Sequence, residues 1–577
     1  MKVWHRAKPG PPPHRIHNMS MSGRGGGRAS LGLGAIAGLL AAGAALGVGQ
    51  LVAGLTGASG SPVVAVGELQ IDFTPPWLKN FAITEFGSDD KLVLVSGILV
   101  VLAIFAAVIG AAATRRMAYG LAGLAVFGLV GLTAAATRPT ATFTSLLPTL
   151  AAVAAAAAVL LVLIPLAHAQ AVRYAPAADE LEPPDAGGVD RAPDRLAPPD
   201  LPLPRAMGAP AAAEAPGELE PGAPRRRSFL AAGAATAGIA AGAGLAGRLL
   251  TERSSVASAR RSLRIPAPAV TTQALPSGVN LDIPGLAPFV TSNTSFYRVD
   301  TAIVLPQVDP SSWQLRIHGM VNREITLTFE ELIKRPLIED YVTLCCVSNP
   351  VGGPYIGNAK WLGASLRAVL REAGIKAGAD QLMCTSVDGF TSGTPVQTVM
   401  DGRDALLAVA MNGQPLPVAH GFPARMVVPG LYGYVSATKW VTDINVTTFA
   451  GNFAYWAQRG WSQQAPIKTE CRIDVPNGLN NVQTGTTAVA GVAWAQHKGI
   501  EAVQVRVDAG PWNEARLAAV PGIDTWRQWV WDWDATPGPH VLEARATDKT
   551  GYTQTSAQAQ PEPNGASGYP TVSVMVS

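Results

Sequence analysis

The chain has 577 residues, a formal net charge of +3 and only 15% charged residues. Its length exceeds that of one ordinary domain, and the small net charge, without a basic face carrying aromatics, argues against nucleic acid as a partner. Its four cysteines contain no CxxC pair and fit neither a zinc ribbon nor a disulfide framework. The mean hydropathy of +0.21 is high for a soluble protein, and the apolar excess lies in the first 250 residues.

Residues 1–170 are predicted to form a bundle of four transmembrane helices. A helix needs about 20 apolar residues to cross a bilayer. The stretches that meet this length are roughly 30–54, 92–113, 117–137 and 145–168. The first is rich in Gly and Ala, and a cleaved signal peptide is its alternative interpretation. Basic residues before it and acidic residues in the loop 55–90 predict a cytoplasmic N-terminus and an outer loop.

The predicted helices carry few groups that would serve transport or electron transfer. Interior carboxylates and lysines, which mark ion paths, are missing from these stretches, and the one histidine near them, His168, lies at an end. Haem b between helices usually needs paired histidines, so no haem is predicted. The bundle is interpreted as an anchor or a partner-binding element, and a transporter is disfavoured.

An arginine run follows the bundle. Residues 171–227 are rich in Pro, Ala and acids, which predicts a disordered cytoplasmic linker. The linker leads into Arg225-Arg226-Arg227-Ser228-Phe229-Leu230 and an apolar run. Residues 228–251 are therefore predicted to be either a fifth transmembrane helix or an internal twin-arginine-like export signal. Both interpretations deliver the rest of the chain to the outer side of the cytoplasmic membrane.

Globular patterns begin after an extended connector at 252–284. Residues 285–455 mix a strand-like run at 313–317 with helical patterns at 328–334 and 363–373, which predicts an α+β domain. Residues 466–577 contain short β-type runs separated by turn residues, which predicts a small antiparallel, immunoglobulin-like β-sandwich. These runs are 486–494, 500–508, 525–533 and 539–547.

Two segments of the α+β region carry candidate chemistry. A β-type run ends in Cys345-Cys346 and opens into a Gly/Pro loop, which leaves a thiolate free to bind a soft metal. A buried pair of small apolar residues is the alternative. Further on, His420-Gly421-Phe422-Pro423-Ala424-Arg425 and Ser436-Ala437-Thr438-Lys439-Trp440 place His, Arg and Lys among glycines, a pattern that suits a phosphate. A core histidine and surface charges are the alternatives.

Together with Phe296-Tyr297-Arg298-Val299-Asp300, these segments resemble the sulfite oxidase family of molybdenum enzymes, over about 285–577. The resemblance implies a sulfite-oxidase-type molybdopterin domain, a C-terminal dimerisation domain through which a homodimer would form, and molybdenum bound by the thiolate of Cys346. It assigns catalytic roles to Cys346, Arg298 and His420. The cofactor-binding residues that it implies are Asn293, Tyr297, Arg298, Cys346, Thr385, His420, Arg425, Ser436 and Lys439.

Departures from the family pattern bear on the substrate. Asn349-Pro350-Val351 stands where an anion-binding arginine would follow the ligand cysteine, and Trp461 falls where the family has a catalytic tyrosine. The pocket is therefore expected to be more aromatic and less selective for anions. This resembles the exported bacterial branch, which includes subunits that reduce methionine sulfoxide with electrons from a membrane haem partner.

The sequence thus predicts a membrane-anchored molybdenum–molybdopterin oxidoreductase whose catalytic domain lies outside the cytoplasmic membrane. It would transfer an oxygen atom to or from a small sulfur or nitrogen oxo compound, either oxidising sulfite or reducing an S- or N-oxide, and would exchange electrons with a separate partner. The alternative is a non-catalytic binding or assembly protein that keeps the fold without useful turnover.

Overall fold

The computed structural model describes residues 24–56, 62–75, 78, 90–138, 141–171, 224–253, 256–478 and 481–577. Nearly all of the predicted linker 171–227 lies outside the described residues, as do the basic residues before position 24. The chain divides into two compact units, and Leu245–Ser577 belongs wholly to the second.

Most of the described part of the first 253 residues is helical. The helices are α1 (Arg24–Thr56), α2 (Pro62–Phe73), α3 (Asp90–Arg115), α4 (Met117–Ala136), α5 (Phe143–Ala171) and α6 (Pro224–Arg253). Within the described residues, five segments are long and apolar enough to cross a membrane. They are Leu31–Thr56, Leu92–Arg115, Met117–Ala136, Phe143–Ala169 and Ser228–Thr251. The prediction that these apolar stretches are helical is confirmed.

Glycines allow α1 and α3 to approach closely within the first unit. A Cβ added to Gly38 would lie 2.0 Å from the carbonyl oxygen of Ala106, and one added to Gly110 would lie 2.1 Å from that of Gly34. Contacts this short leave no room for a side chain. Close packing through small residues is common between membrane helices, because the lipid offers no hydrophobic drive for association.

Residues 256–313 run mostly without regular structure along the α+β region. A short helix, α7 (Ala257–Ser262), begins this segment, and the Arg260 guanidinium donates to the carbonyl oxygens of Pro415 and Leu416. Further on, Val270 and Leu337 share a backbone hydrogen bond of 3.2 Å. These contacts fasten the connecting segment to the strands that carry the candidate site.

The α+β region, within the continuously described residues 256–478, contains two five-stranded sheets. The first sheet has the order β2-β1-β10-β5-β6, and the second has the order β3-β4-β7-β8 with β9 paired to β7. The first sheet consists of β1 (Gln314–Gly319), β2 (Ile325–Thr328), β5 (Gln381–Ser386), β6 (Thr391–Pro395) and β10 (Val441–Thr447). The second consists of β3 (Leu337–Cys345), β4 (Ile356–Ser365), β7 (Leu406–Met411), β8 (Gln414–Pro415) and β9 (Arg425–Val427). The α+β prediction is confirmed for this region.

Short helices connect these strands. They are α8 (Phe329–Lys334), α9 (Leu366–Ala373), α10 (Val396–Met400) and α11 (Gly433–Ser436). The helix predicted at 328–334 is α8, and Thr328 and Glu331 form a capping box at its start, which satisfies backbone amides that the helix leaves free.

The helix predicted at 363–373 begins three residues later than expected. Residues Gly363–Ser365 still belong to β4, Ser365 caps α9, and Gly374 ends it with a φ of 69°. A Cβ on Gly363 would lie 2.3 Å from the carbonyl oxygen of Leu407 on β7. Close backbone contact between the strands, which helical periodicity does not reveal, overrides the local helical pattern.

The C-terminal region contains two four-stranded sheets among its described residues. Their orders are β11-β12-β16-β15 and β14-β13-β17-β18. The strands are β11 (Glu470–Val475), β12 (Gly485–Trp494), β13 (Ile500–Val507), β14 (Asn513–Glu514), β15 (Arg516–Leu517), β16 (Arg527–Ala535), β17 (Gly538–Asp548) and β18 (Thr571–Val576). Val489 and Trp529 of one sheet and Val503 and Ala544 of the other share an apolar cluster. All four predicted β-type runs are strands, and the immunoglobulin-like classification stays a prediction.

Candidate functional site

The loop after β3 holds Cys346 in a turn closed by hydrogen bonds. The backbone N–H of Cys346 donates to the carbonyl oxygen of Tyr355 at 2.9 Å, and that of Asn349 donates to the carbonyl oxygen of Cys346 at 3.1 Å. The amide oxygen of Asn349 accepts from the N–H of Tyr355 at 2.8 Å. The Cys346 Sγ lies 2.9 Å from the Ser348 Oγ. The thiol is therefore fixed by a loop with little freedom.

The two adjacent cysteines have different surroundings. Cys345 is the last residue of β3, is fully buried and belongs to the main apolar core. Cys346 is only partly buried as a residue. Burial raises the pKa of Cys346, whereas the Ser348 hydroxyl, the Ser348 and Val347 backbone amides and the charge of Lys439 lower it. Cys345 thus matches the apolar-pair interpretation, and Cys346 is the thiol with stabilising donors around it.

The segment that contains Asn293 and Tyr297 packs against His420. The Nε2 atom of His420 lies 3.1 Å from the carbonyl oxygen of Asn293. The ring of Phe296 stacks on Tyr297 at 5.2 Å between centroids and meets His420 edge-on at 5.5 Å. Burial, together with the positive charge of Arg425, lowers the pKa of His420 to about 4. His420 is therefore neutral at pH 7, with its proton on Nε2 because a carbonyl oxygen can only accept.

Arg425 is a buried cation whose hydrogen-bond acceptors are backbone carbonyls. It is 5% exposed. Its guanidinium donates to the carbonyl oxygens of His420, Ala437 and Met426 at 3.1, 3.2 and 3.3 Å. The guanidinium carbon lies 5.0 Å from the ring centroid of Trp361. Burial lowers its pKa to about 10, so the group still carries its charge at pH 7.

Lys439 and Arg298 share one carboxylate. The ammonium nitrogen of Lys439 lies 2.6 Å from the Oδ2 atom of Asp300, and the Nε atom of Arg298 lies 2.9 Å from the same Oδ2 atom. The side chains of Lys439 and Asp300 are 11% and 4% exposed, whereas that of Arg298 is 37% exposed. Burial lowers the pKa of Lys439 to about 8, and the attraction of Asp300 acts in the opposite direction.

The Cys346 thiol and the Arg425 guanidinium both lie close enough to Tyr297 to shift its pKa. Burial raises the pKa of Tyr297 well above its ordinary value, the Cys346 thiolate raises it further, and Arg425 lowers it. A Cβ added to Gly433 would lie 3.6 Å from the carbonyl oxygen of Cys345 and 3.8 Å from the Tyr297 hydroxyl. The structure therefore brings Cys346, Tyr297, His420, Arg425, Lys439, Arg298 and Asn293 into one region.

Two of the predicted cofactor residues have other partners. The Ser436 hydroxyl is buried and lies 3.0 Å from the carbonyl oxygens of both Leu431 and Tyr432, which stabilises the turn before α11. Thr385 lies on β5, paired with Asp443 and Thr391 on the neighbouring strands. Their roles in cofactor binding stay predictions.

Sequence reasoning assigned no role to three residues of this region. Asp300 neutralises part of the charge of Lys439 and Arg298, Ser348 contacts the thiol, and Trp361 lies under the guanidinium of Arg425. The position of Ser348, two residues after Cys346, was a usable signal. Trp361 lies on β4, distant in the sequence from Arg425, and no local pattern joins the two.

Trp461 is part of an aromatic cluster. Its ring centroid lies 6.0 Å from that of Tyr434 and 6.1 Å from that of Trp456, and all three rings are half-buried. Tyr434 directly follows Gly433, the residue that approaches the Cys345 backbone. The expectation that Trp461 makes the cofactor pocket more aromatic stays a prediction.

The donor set fits a sulfur-bound metal carried by an anionic cofactor. In the described part of the chain, no group of three or more His, Cys, Asp or Glu residues could hold a metal ion by itself. A single thiolate therefore needs further ligands from outside the protein. Arg425 leaves a buried positive charge that a phosphate would neutralise. The amide nitrogen of Asn349 is also buried without a hydrogen-bond partner among the described residues, and it offers a donor.

Comparison with known proteins gives a consistent picture. Residues 302–456 match the family model of the oxidoreductase molybdopterin binding domain. The chain is 30% identical to sulfite oxidase of Gallus gallus over 296 residues, which cover 43% of this chain and 63% of that protein. It is 32% identical to the uncharacterized oxidoreductase YuiH of Bacillus subtilis (strain 168) over 168 residues, which cover 29% of this chain and 81% of that protein.

The match covers only part of the length of the sulfite oxidases. Mitochondrial sulfite oxidase of Rattus norvegicus is 28% identical over 52% of its length, so the chain spans between half and two thirds of these sulfite oxidases. Among solved structures, the sulfane dehydrogenase SoxCD from Paracoccus pantotrophus matches 53% of this chain and 90% of its own, with 22% identity and a TM-score of 0.45.

Proposed function

Because the chain belongs to the sulfite oxidase family of molybdopterin-dependent oxidoreductases, we propose that it transfers an oxygen atom to or from a small sulfur or nitrogen oxo compound. The observation that carries this proposal is that the Cys346 thiol and the buried guanidinium of Arg425 both act on the Tyr297 hydroxyl, and no carboxylate partner of Arg425 is found in the described part of the chain. A soft ligand for the metal and a site for the cofactor phosphate thereby occur together.

The residues of the site have distinct roles in this proposal. Cys346 binds the metal, and Arg425 and Lys439 hold the anionic part of the cofactor, with Asp300 orienting Lys439. The cofactor supplies the electron and oxygen-transfer chemistry, while the protein supplies binding, orientation and charge.

His420 and Arg298 complete the site. His420 is neutral and keeps its Nε2 proton on the Asn293 carbonyl, so Nδ1 is left as an acceptor for a donor group of cofactor or substrate. Arg298 is the most exposed cation of the region and the one best placed to meet an incoming oxo group.

The substrate is proposed to be a neutral or weakly charged S- or N-oxide, with sulfite as the second candidate. Asn349-Pro350-Val351 contains no cation in the loop that follows Cys346. Trp461, Trp456 and Tyr434 form an aromatic cluster, which is proposed to line the substrate pocket. Aromatic faces favour apolar groups such as the methyl substituents of a sulfoxide over a doubly charged anion.

The protein is proposed to be anchored by several passes through the cytoplasmic membrane, with the catalytic domain outside. The five apolar helices support membrane association. The charge distribution and the run Arg225-Arg226-Arg227 support the orientation, either through a fifth span or through a twin-arginine-like signal. A separate electron-transfer partner and a homodimer formed through residues 466–577 complete the proposal, and no haem is assigned to this chain.

Purification from native membranes tests the proposed function. Metal and pterin analysis is followed by dye-linked assays with sulfite, methionine sulfoxide and related S- and N-oxides. We expect molybdenum, pterin and turnover with at least one oxide or with sulfite. Absence of both molybdenum and pterin would favour the non-catalytic binding or assembly protein.

A further inference from the structure

The hydroxyl group of Ser348 is directed at the thiol of Cys346. The two heavy atoms are 2.9 Å apart. This is the one hydrogen bond of the Ser348 side chain found in the described part of the chain. The serine sits inside the turn that the Cys346–Tyr355 and Asn349–Cys346 backbone bonds close, so its position relative to the sulfur is set by the loop.

Metal binding decides which atom donates in this pair. A metal-bound cysteine is a thiolate without a proton, and it can only accept. The hydroxyl of Ser348 must then be the donor. The backbone amides of Val347 and Ser348 also favour the charged sulfur, so the hydroxyl adds to a small set of donors around it.

A hydrogen bond to a thiolate ligand changes the properties of the metal. The donor withdraws electron density from sulfur, which weakens its donation to the metal and destabilises the higher oxidation state. Hydrogen bonds to ligand sulfurs are among the main means by which proteins adjust the potential of thiolate-bound metals. Removing the donor is therefore expected to lower the reduction potential.

We propose that Ser348 is a positioning residue that orients the Cys346 sulfur and raises the reduction potential of the bound molybdenum through its hydroxyl. This inference rests on the proposed role of Cys346 as the metal ligand. In this proposal, the hydroxyl of Ser348, which is not itself a metal ligand, favours the reduced state of the metal.

The test compares Ser348→Ala with Ser348→Thr in the full-length protein purified with its cofactor. Ser312→Ala, which removes a hydroxyl from an exposed turn, is the matched control. The readouts are the one-electron midpoint potentials from a redox titration followed by electron paramagnetic resonance, and the sulfur-to-molybdenum charge-transfer absorption. Molybdenum content is measured in every sample.

The expected result is a lower midpoint potential and a longer-wavelength absorption for Ser348→Ala, with Ser348→Thr and Ser312→Ala close to the unsubstituted protein. Equal potentials in Ser348→Ala and the unsubstituted protein, at equal molybdenum content, would overturn the inference and leave the proposed function intact. If Ser348→Ala does not load the cofactor, Ser348→Gly is measured in its place. The inference is also overturned if the midpoint potential of Ser348→Thr is shifted as far as that of Ser348→Gly. Absence of molybdenum from the unsubstituted protein overturns the proposed function as well.

Discussion

Arg425 is the residue that indicates most directly what the site binds. A guanidinium with 5% exposure whose acceptors among the described residues are backbone carbonyls is costly unless an anion completes its surroundings. Its flat guanidinium lies over the Trp361 ring and also donates to several backbone carbonyl oxygens, a combination that the ammonium group of lysine does not reproduce. Lysine at this position would therefore keep the charge but lose part of these contacts.

Arg425→Lys is predicted to lower the cofactor content of the purified protein. Loss of charge-assisted hydrogen bonds of this kind costs about 2 kcal/mol, or roughly thirtyfold in affinity. The measurement is molybdenum and pterin per chain after dialysis, with the exposed Arg371→Lys on α9 as the control. Equal occupancy in the two variants would contradict the assignment of Arg425 to the cofactor.

Glu470 is a second buried group with an altered pKa. It is 4% exposed, and one of its carboxylate oxygens has no hydrogen-bond partner among the described residues. Burial raises its pKa to about 8, and the positive charge of Lys468 lowers it only partly. The carboxyl group is therefore protonated in the folded protein at pH 7, whereas it is ionised in the unfolded chain.

This difference predicts that stability falls as the pH rises from about 4.5 to about 8. Over this window the unfolded chain has released the proton that folded Glu470 retains, and above pH 8 the accumulated cost is about 5 kcal/mol. Glu470→Gln should flatten the dependence. Melting temperatures of the full-length protein in detergent at pH 5 and pH 8 measure it, with exposed Glu501→Gln as the control. An unchanged pH dependence in Glu470→Gln would refute the prediction.

The preference for Cys346 over Cys345 as the metal ligand came from the resemblance to the sulfite oxidase family, and it stays a prediction. Residue types and spacing predicted the β-type run that ends at Cys345-Cys346. They also predicted a phosphate-binding pattern in the segment that contains His420, Arg425 and Lys439. The ion pair of Lys439 with Asp300 and the ring under Arg425 were not predicted, because they join residues 139 and 64 positions apart through tertiary packing. The same holds for Ser436, whose hydroxyl is used by its own turn.

At the scale of elements, periodicity predicted the kinds of structure better than their limits. The apolar helices and the C-terminal strands follow from composition and alternation. The start of α9 does not, because the backbone of β7 requires Gly363 to stay in β4. The pattern of residue types within one segment does not predict such contacts between strands.

Gly363→Ala is predicted to destabilise the protein by about 2 kcal/mol, because a Cβ would lie 2.3 Å from the Leu407 carbonyl oxygen and the strands would have to separate. Thermal denaturation of the full-length protein measures the change. Gly522→Ala is the control, since a Cβ there would meet nothing within 4 Å. Equal melting temperatures for the two variants would show that the strands adjust without cost.

At the scale of the whole molecule, the central question is the side of the membrane on which the catalytic domain works. Protease added to intact spheroplasts is expected to digest the domain after residue 252. Protection of this domain until the cells are lysed would contradict the proposed orientation.

Replacement of Arg226 and Arg227 by lysines, tested in the same experiment, distinguishes a twin-arginine signal from a fifth transmembrane helix. Lysines keep the positive charge that orients a plain span but remove the arginine pair. Loss of the outer domain in this variant assigns the run to a twin-arginine signal, whereas its retention assigns residues 228–251 to a fifth transmembrane helix.

The metal–thiolate bond is the claim on which the site assignment and the inference about Ser348 depend. X-ray absorption at the molybdenum edge, compared between the unsubstituted full-length protein and Cys346→Ser, measures it directly. We expect molybdenum in the unsubstituted protein and one sulfur ligand fewer in Cys346→Ser. The same number of sulfur ligands in both proteins, or a purified protein without molybdenum, would contradict it.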